Sequence, residues 1–170
     1  MRVQGYARRI LERFDEVPPE EKALIETAAL LHDIGKIGIP DDVLLKKHKL
    51  SQDEMNLIHE HVVLSEKILL HMDSMKDVAR WVRHHHERWD GLGYPDGLRG
   101  EAIPFASRVI GVADALDAMM TDRPYRKALS LDQAIRALTE GRETQFDPRL
   151  VDSIVSFLRS EEKQEVEAYA

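Results

Sequence analysis

With 170 residues, a 43% hydrophobic fraction and no cysteine, the sequence has the length of one domain with an ordinary core, and it excludes disulfide staples and thiolate-held metals. The formal charge of −7 disfavours broad contact with DNA or another long nucleic acid, though not a small anionic ligand whose field a bound cation can reverse. No apolar run approaches the ~20 residues of a membrane span, and the opening MRVQGYARRILERF lacks a signal-peptide core, so a cytoplasmic location is expected.

The predicted elements are all helical. Val3, Tyr6, Ile10 and Phe14 recur at helical spacing over Arg2 to Phe14. Pro18 and Pro19 open a second helix, with Glu20 and Glu21 at its positive dipole end and Leu24, Ala28 and Leu31 turned inward. It runs into HDIGK, where Gly35, Gly38 and Pro40 end the pattern. Ser51 and Glu54 form a capping box for a helix whose stripe is Met55, Ile58, Val62 and Leu69. Another helix starts near Ser74 with Val78, Val82 and His85 on one face, followed by a glycine-rich loop. Pro104 fits the first turn of a long helix carrying Val109, Val112, Ala113 and Leu116. Ser130 and Gln133 make a second capping box, and Pro148 opens a last helix with Val151, Ile154, Val155 and Leu158. The expected fold is an all-α bundle of about seven helices, one domain over residues 1–160, with a polar, fraying tail over 161–170.

Metal-capable side chains cluster along this plan. His32 and Asp33 sit at a helix end, where adjacent side chains can reach one point; alternatively Asp33 accepts backbone hydrogen bonds there. His61 borders the core, while His59 is expected to face elsewhere. In the run His84, His85, His86, one or two imidazoles can face inward, and Glu87 can ligate or orient a ligating imidazole. Asp114 is the sharpest anomaly: a carboxylate inside VIGVADALDAMM needs a metal, a charge partner or several hydrogen bonds. The nitrogen and oxygen donors suit zinc, iron, manganese or nickel over calcium. Lys36, Arg123 and Arg126 are candidate phosphate contacts, Arg123 otherwise bracing its own loop, and Tyr94 and Tyr125 offer an aromatic face or a hydroxyl. Trp81 and Trp89 read as packing residues. The glycine loop is no Walker loop, since it lacks GK[ST] and follows a helix.

HDIGK at 32–36, IPDDVLLKKHKLSQDE at 39–54, HHERWDGLGYPDGLRG at 85–100 and IPFASRVIGVADALDAMMTDRPYRKALS at 103–130 together resemble the HD-GYP domain, a subgroup of the HD metal-dependent phosphohydrolases. The resemblance covers Arg2 to Leu158 and implies an all-helical, metal-dependent phosphodiesterase that hydrolyses cyclic di-GMP to linear pGpG and in some members GMP. It implies His32, Asp33, His61, His85, His86 and Asp114 as ligands of two divalent ions, with Asp33 bridging and acting with Lys36 in catalysis. It implies Lys36, Tyr94, Asp117, Arg123 and Arg126 at the substrate. An upstream sensor or receiver domain and a diguanylate cyclase partner are implied as well. Two departures stand out. His61 is followed by Val62 where the family usually has proline. No histidine precedes His32, whereas the family's first helix supplies a ligand shortly before a pair like Arg2-Val3. The expectation is a first helix truncated at its start, one ion short of a ligand unless water, Glu12 or a partner substitutes, and no third ion. Two other functions stay open: a weakly active or inactive module that binds cyclic dinucleotides or a signalling partner, and an HD phosphohydrolase for another nucleotide.

Overall fold

The structure, a computed structural model, describes residues 2–46, 48–122 and 127–168. It is all helical: nine α-helices and three short 3-10 turns among the described residues, with no sheet among them beyond one isolated bridge between Arg142 and Phe146. The helices are α1 (Arg2–Leu11), α2 (Pro19–Leu31), α3 (Asp41–Leu44), α4 (Gln52–His59), α5 (His61–Leu69), α6 (Lys76–Arg83), α7 (Phe105–Met120), α8 (Leu131–Glu140) and α9 (Pro148–Ala168). None among the described residues is long and apolar enough to cross a membrane.

α7 is the axis of the bundle and packs against α1, α2, α6, α8 and α9. Its buried Val109, Ile110, Val112, Ala113 and Leu116 form one broad apolar face, which its neighbours cover. Both predicted capping boxes form: Ser51 and Glu54 each take the other's backbone N–H, and so do Ser130 and Gln133. Pro104 caps α7 from just outside its first turn, and Pro148 opens α9.

Five local expectations are corrected. α1 stops at Leu11, and Phe14 is buried from the following turn. α2 buries Ile25, Ala28 and Ala29, while Leu24 is exposed and Leu31 half-buried. The helix expected over 51–69 is two, broken at Glu60, so Met55 faces solvent while Val62 and Leu69 are fully buried. α6 starts at Lys76, after a 3-10 turn at Asp73–Met75, and ends at Arg83, so the histidine run lies beyond its last turn. At the other end of the chain α9 continues to Ala168, through much of the expected tail.

Candidate metal centre

α2 ends in a cap at His32, and a 3-10 turn over Ile34–Gly38 begins at once. The change of helix type turns Asp33 back beside His32: His32 Nε2 stands 3.3 Å from Asp33 Oδ2. The tight turn lies against α5, where a Cβ on Gly35 would fall 2.1 Å from the His61 carbonyl oxygen. Glycine is required there by the close approach of two backbones. Buried Ser65 pins the contact: its hydroxyl accepts from Gly35 N at 2.8 Å and donates to the His32 carbonyl at 3.2 Å.

Three histidines are oriented in one way. His32, His61 and His85 each place Nδ1 on the carbonyl three residues earlier, at Ala29 (2.8 Å), Ile58 (2.7 Å) and Val82 (2.6 Å). A carbonyl only accepts, so Nδ1 carries a hydrogen in each ring, and in a neutral ring the lone pair is on Nε2. The breaks at Glu60 and after Arg83 bring His61 and the pair His85–His86 to the same point as His32. Ring centroids are 5.2 Å apart for His32–His85, 5.6 Å for His61–His85, 5.2 Å for His61–His86 and 4.0 Å for His85–His86. Past the end of α6, His86 is no longer held a helical step away from His85. Asp114, nearly two turns before the end of α7, brings its Oδ1 to 3.6 Å from His32 Nε2.

The donor atoms form two groups able to hold divalent metal ions, His61 with His85 and His86, and His32 with Asp33 and His85. Nε2 of His61 and of His85 are buried without a hydrogen-bond partner among the described residues. His61 Nε2 lies 3.4 Å from Asp33 Oδ1, but with Nδ1 holding the hydrogen these atoms are two acceptors facing each other. Such an arrangement is costly without a cation and natural with one. The electrostatics agree. Burial lowers the His61 and His85 pKa, that of His85 far below its ordinary value, and brings His86 down to about 4 against the pull of Asp114. These rings are neutral donors. Burial also works against a charge on His32, but hydrogen bonds that it donates to Asp114 and Asp33 overcome it and raise its pKa to about 10. Burial likewise opposes ionisation of Asp33 and Asp114. Asp33 is nevertheless held far below the carboxylate range by His32 and Lys36, and Asp114 is held lower by His32. Without metal, then, a proton on His32 sits where two carboxylates converge. Neutral imidazoles and ionised carboxylates are what a divalent transition ion needs.

Of the other sequence candidates, Lys36 points at the centre, its Nζ 2.7 Å from Asp33 Oδ2. Tyr94 lies at the rim, tilted over His86 with centroids 5.0 Å apart. Asp117 sits on the next turn of α7, paired with Arg2 at 2.6 Å, and borders a recess shared with His32. Arg123, Arg126 and Tyr125 lie outside the described residues. Glu12 is exposed and paired with Arg9 at 3.0 Å.

Glu87 does not ligate and does not orient an imidazole. It accepts the backbone N–H groups of Asp96 (2.7 Å) and Leu98 (3.0 Å). His84 is turned away, bridging the Arg80 carbonyl and Asp96. Asp96 also takes two hydrogen bonds from Arg83, and Asp90 braces the loop by accepting from Leu92 N. The glycine-rich loop is therefore stapled to α6 and held against the site. Sequence reasoning missed two residues. His59, expected to face elsewhere, stacks on Tyr94 with centroids 3.8 Å apart and planes 12° from parallel. No local signal marks it. Ser65 was legible in principle, as a polar residue on the apolar face of α5, four residues after His61.

An HD domain family model matches residues 1–150. The chain is 47% identical over 138 residues to the cyclic di-GMP phosphodiesterase response regulator RpfG of Xanthomonas campestris, covering 80% of this chain and 36% of that protein. It is 39% identical over 133 residues to a cyclic di-GMP phosphodiesterase of Thermotoga maritima (77% and 36%). It is also 39% identical over 128 residues to the 3′3′-cGAMP-specific phosphodiesterase 3 of Vibrio cholerae (75% and 28%). The chain thus spans about a third of the length of these curated relatives. Among solved structures, an HDG"Y"P protein from Bdellovibrio bacteriovorus shares the fold with a TM-score of 0.74 at 20% identity, covering 93% of this chain and 50% of that one.

Proposed function

Since the chain belongs to the HD domain family and, within it, to the HD-GYP subgroup, we propose that it is the hydrolytic unit of a metal-dependent phosphodiesterase that opens cyclic di-GMP to linear pGpG, and onward to GMP. The observation that carries the reading is the pair of buried Nε2 atoms on His61 and His85 that have no partner among the described residues, that of His61 lying 3.4 Å from Asp33 Oδ1. The relatives that are named for cyclic di-GMP and for 3′3′-cGAMP support a cyclic dinucleotide as substrate.

Because one Nε2 lone pair serves one ion, His61, His85 and His86 would hold one ion and His32, Asp33 and Asp114 the other. Asp33, with Oδ2 toward His32 and Oδ1 toward His61, would serve both. Bound ions of this kind supply a water that is deprotonated near neutral pH and positive charge for the phosphate. The protein contributes the rest. Lys36, now held by Asp33, has a flexible ammonium that exchanges this carboxylate for a phosphate oxygen and offsets charge that builds up in attack. Arg123 and Arg126 are proposed to take the remaining phosphate oxygens. The stapled loop keeps Tyr94 at the rim as a fixed wall for the nucleotide. With only a third of the relatives' length present, a sensor or receiver domain elsewhere in the protein, a diguanylate cyclase partner and a cytoplasmic setting also belong to this proposal.

The test is incubation of purified protein with cyclic di-GMP and manganese or iron, with products separated by chromatography. Asp33→Ala is expected to lose bound metal and turnover while its helical circular dichroism is unchanged. Full activity in Asp33→Ala would overturn the bridging role. Binding of cyclic di-GMP by the wild type without products would instead make this a binding module.

A further inference from the structure

A cavity of about 160 Å³ opens beside the metal centre. His86 and Asp114 form one end; Trp89, Arg108 and Ala115 form the far wall, and Gln145 is at its edge. We propose that this cavity is a subsite for one guanine base of the cyclic dinucleotide. The inference rests on the phosphodiesterase reading and adds base specificity to it.

Size gives the first argument. The volume is well below the roughly 300–1,000 Å³ of sites that enclose a whole drug-sized ligand, so it suits one fragment of a dinucleotide. Position gives the second. The cavity shares His86 and Asp114 with the metal centre, so a nucleotide whose phosphate is held there has a base within reach of it. The third is chemistry. Arg108 is almost wholly buried, and its guanidinium lies 5.6 Å from the centroids of both Trp89 and Phe105. Its Nε donates to the Ile103 carbonyl at 3.0 Å, and Nη1 is paired with the buried carboxylate of Asp147. Asp147 is itself fixed by accepting from Arg149 N at 2.9 Å. The planar donor group is thus locked before any ligand arrives, which lowers the ordering cost of binding.

A guanidinium has donors only. Guanine presents two acceptors, O6 and N7, along one edge, whereas adenine replaces O6 with an N6 donor. The Arg108 donors not taken by Ile103 and Asp147 can therefore meet both O6 and N7 of guanine, whereas on adenine they meet N7 alone and face the N6 donor. The wall is also rigid. Trp89 N donates to the Gln145 carbonyl at 3.2 Å and Asp90 N to the Thr144 carbonyl at 2.8 Å, which joins the loop after His86 to the turn before α9.

The experiment measures equilibrium binding of cyclic di-GMP and cyclic di-AMP to the manganese-loaded wild type and to Ala115→Leu, which fills the cavity from α7. Gln145→Trp, at an exposed position on the edge, serves as a second filling variant that does not touch the core. Turnover of bis(p-nitrophenyl) phosphate, which carries no base, is followed alongside. The wild type is expected to prefer cyclic di-GMP by about tenfold or more, the low end of what one good arginine–guanine contact discriminates. Both variants should erase that preference and should lose more on cyclic di-GMP than on the small ester. Equal wild-type binding of the two dinucleotides, or a preference that survives both substitutions, overturns the subsite. Failure of the wild type to hydrolyse the small ester overturns the phosphodiesterase reading instead, and the guanine preference is still read from binding.

Discussion

Two glycine-to-alanine substitutions in this chain are expected to have opposite signs. At Gly35, an added Cβ would stand 2.1 Å from the His61 carbonyl oxygen, 2.5 Å from Ser65 N and 2.7 Å from Ser65 Oγ. Two of these obstacles are backbone, so no rotamer change relieves them. The turn has to withdraw from α5 by about 1 Å, and overpacking of this kind costs about 1–3 kcal/mol. Withdrawal also breaks the bonds from Gly35 N to Ser65 and from Ser65 to the His32 carbonyl, at about 1 kcal/mol each. The sum is about 3–5 kcal/mol, a large share of the roughly 5–15 kcal/mol typical of a domain. The same movement carries His32 and Asp33 away from His61, and a misplacement of about 1 Å can lower catalysis about a hundredfold. At Gly5, an exposed position inside α1, the added Cβ meets nothing within 4 Å. Alanine there should stabilise by about 0.5–1 kcal/mol through backbone entropy. Urea unfolding of the metal-free proteins, followed by far-ultraviolet circular dichroism, gives both values, and metal content after dialysis gives the functional effect. A Gly35→Ala protein within 1 kcal/mol of the wild type, with normal metal content, would refute the reasoning.

Other outcomes follow from the same geometry. Ser65→Ala removes both bonds without a clash and should cost about 1–3 kcal/mol, with weaker retention of metal; unchanged metal affinity would show that the pin does not position His32. Glu87→Gln keeps one acceptor for the two loop N–H groups of Asp96 and Leu98, and faster amide exchange at those two residues is the expected signature; protection equal to the wild type counts against the staple. In the metal-free protein, His32 has a pKa of about 10 against an ordinary 6.5. Its protonation therefore adds stability that is complete below about pH 6.5 and is lost as pH rises through about 10. A metal on Nε2 must displace this proton, so uptake near pH 7 should release about one proton from His32. Calorimetric titration with manganese in buffers of different ionisation enthalpy reads that number, and a heat independent of buffer would contradict it.

The features legible in the sequence are those set by local chemistry. Ser51 with Glu54 and Ser130 with Gln133 cap helices because each box closes within four residues. Pro19, Pro104 and Pro148 mark helix starts because a missing N–H does no harm in a first turn or just before it. Asp114 was conspicuous because a carboxylate among valine, alanine and leucine has no apolar role. Which donors share one centre was not local. It depends on the break at Glu60, which divides one apparent stripe, and on the end of α6 at Arg83, which frees His86 from a helical step. Periodicity continues smoothly across both points, and only packing against the turn at Gly35 and against α7 selects the break. The same holds for His59 on Tyr94, where two residues far apart in sequence meet because the loop after α6 is stapled beside the end of α4. The sequence by itself thus determined an all-helical chain and the chemical type of its donors, since capping, periodicity and ligand preference act over a few residues. Tertiary structure decided the convergence of His32, Asp33, His61, His85, His86 and Asp114, and the cavity beside them, because both arise from close contacts between segments whose separation in sequence carries no distance information.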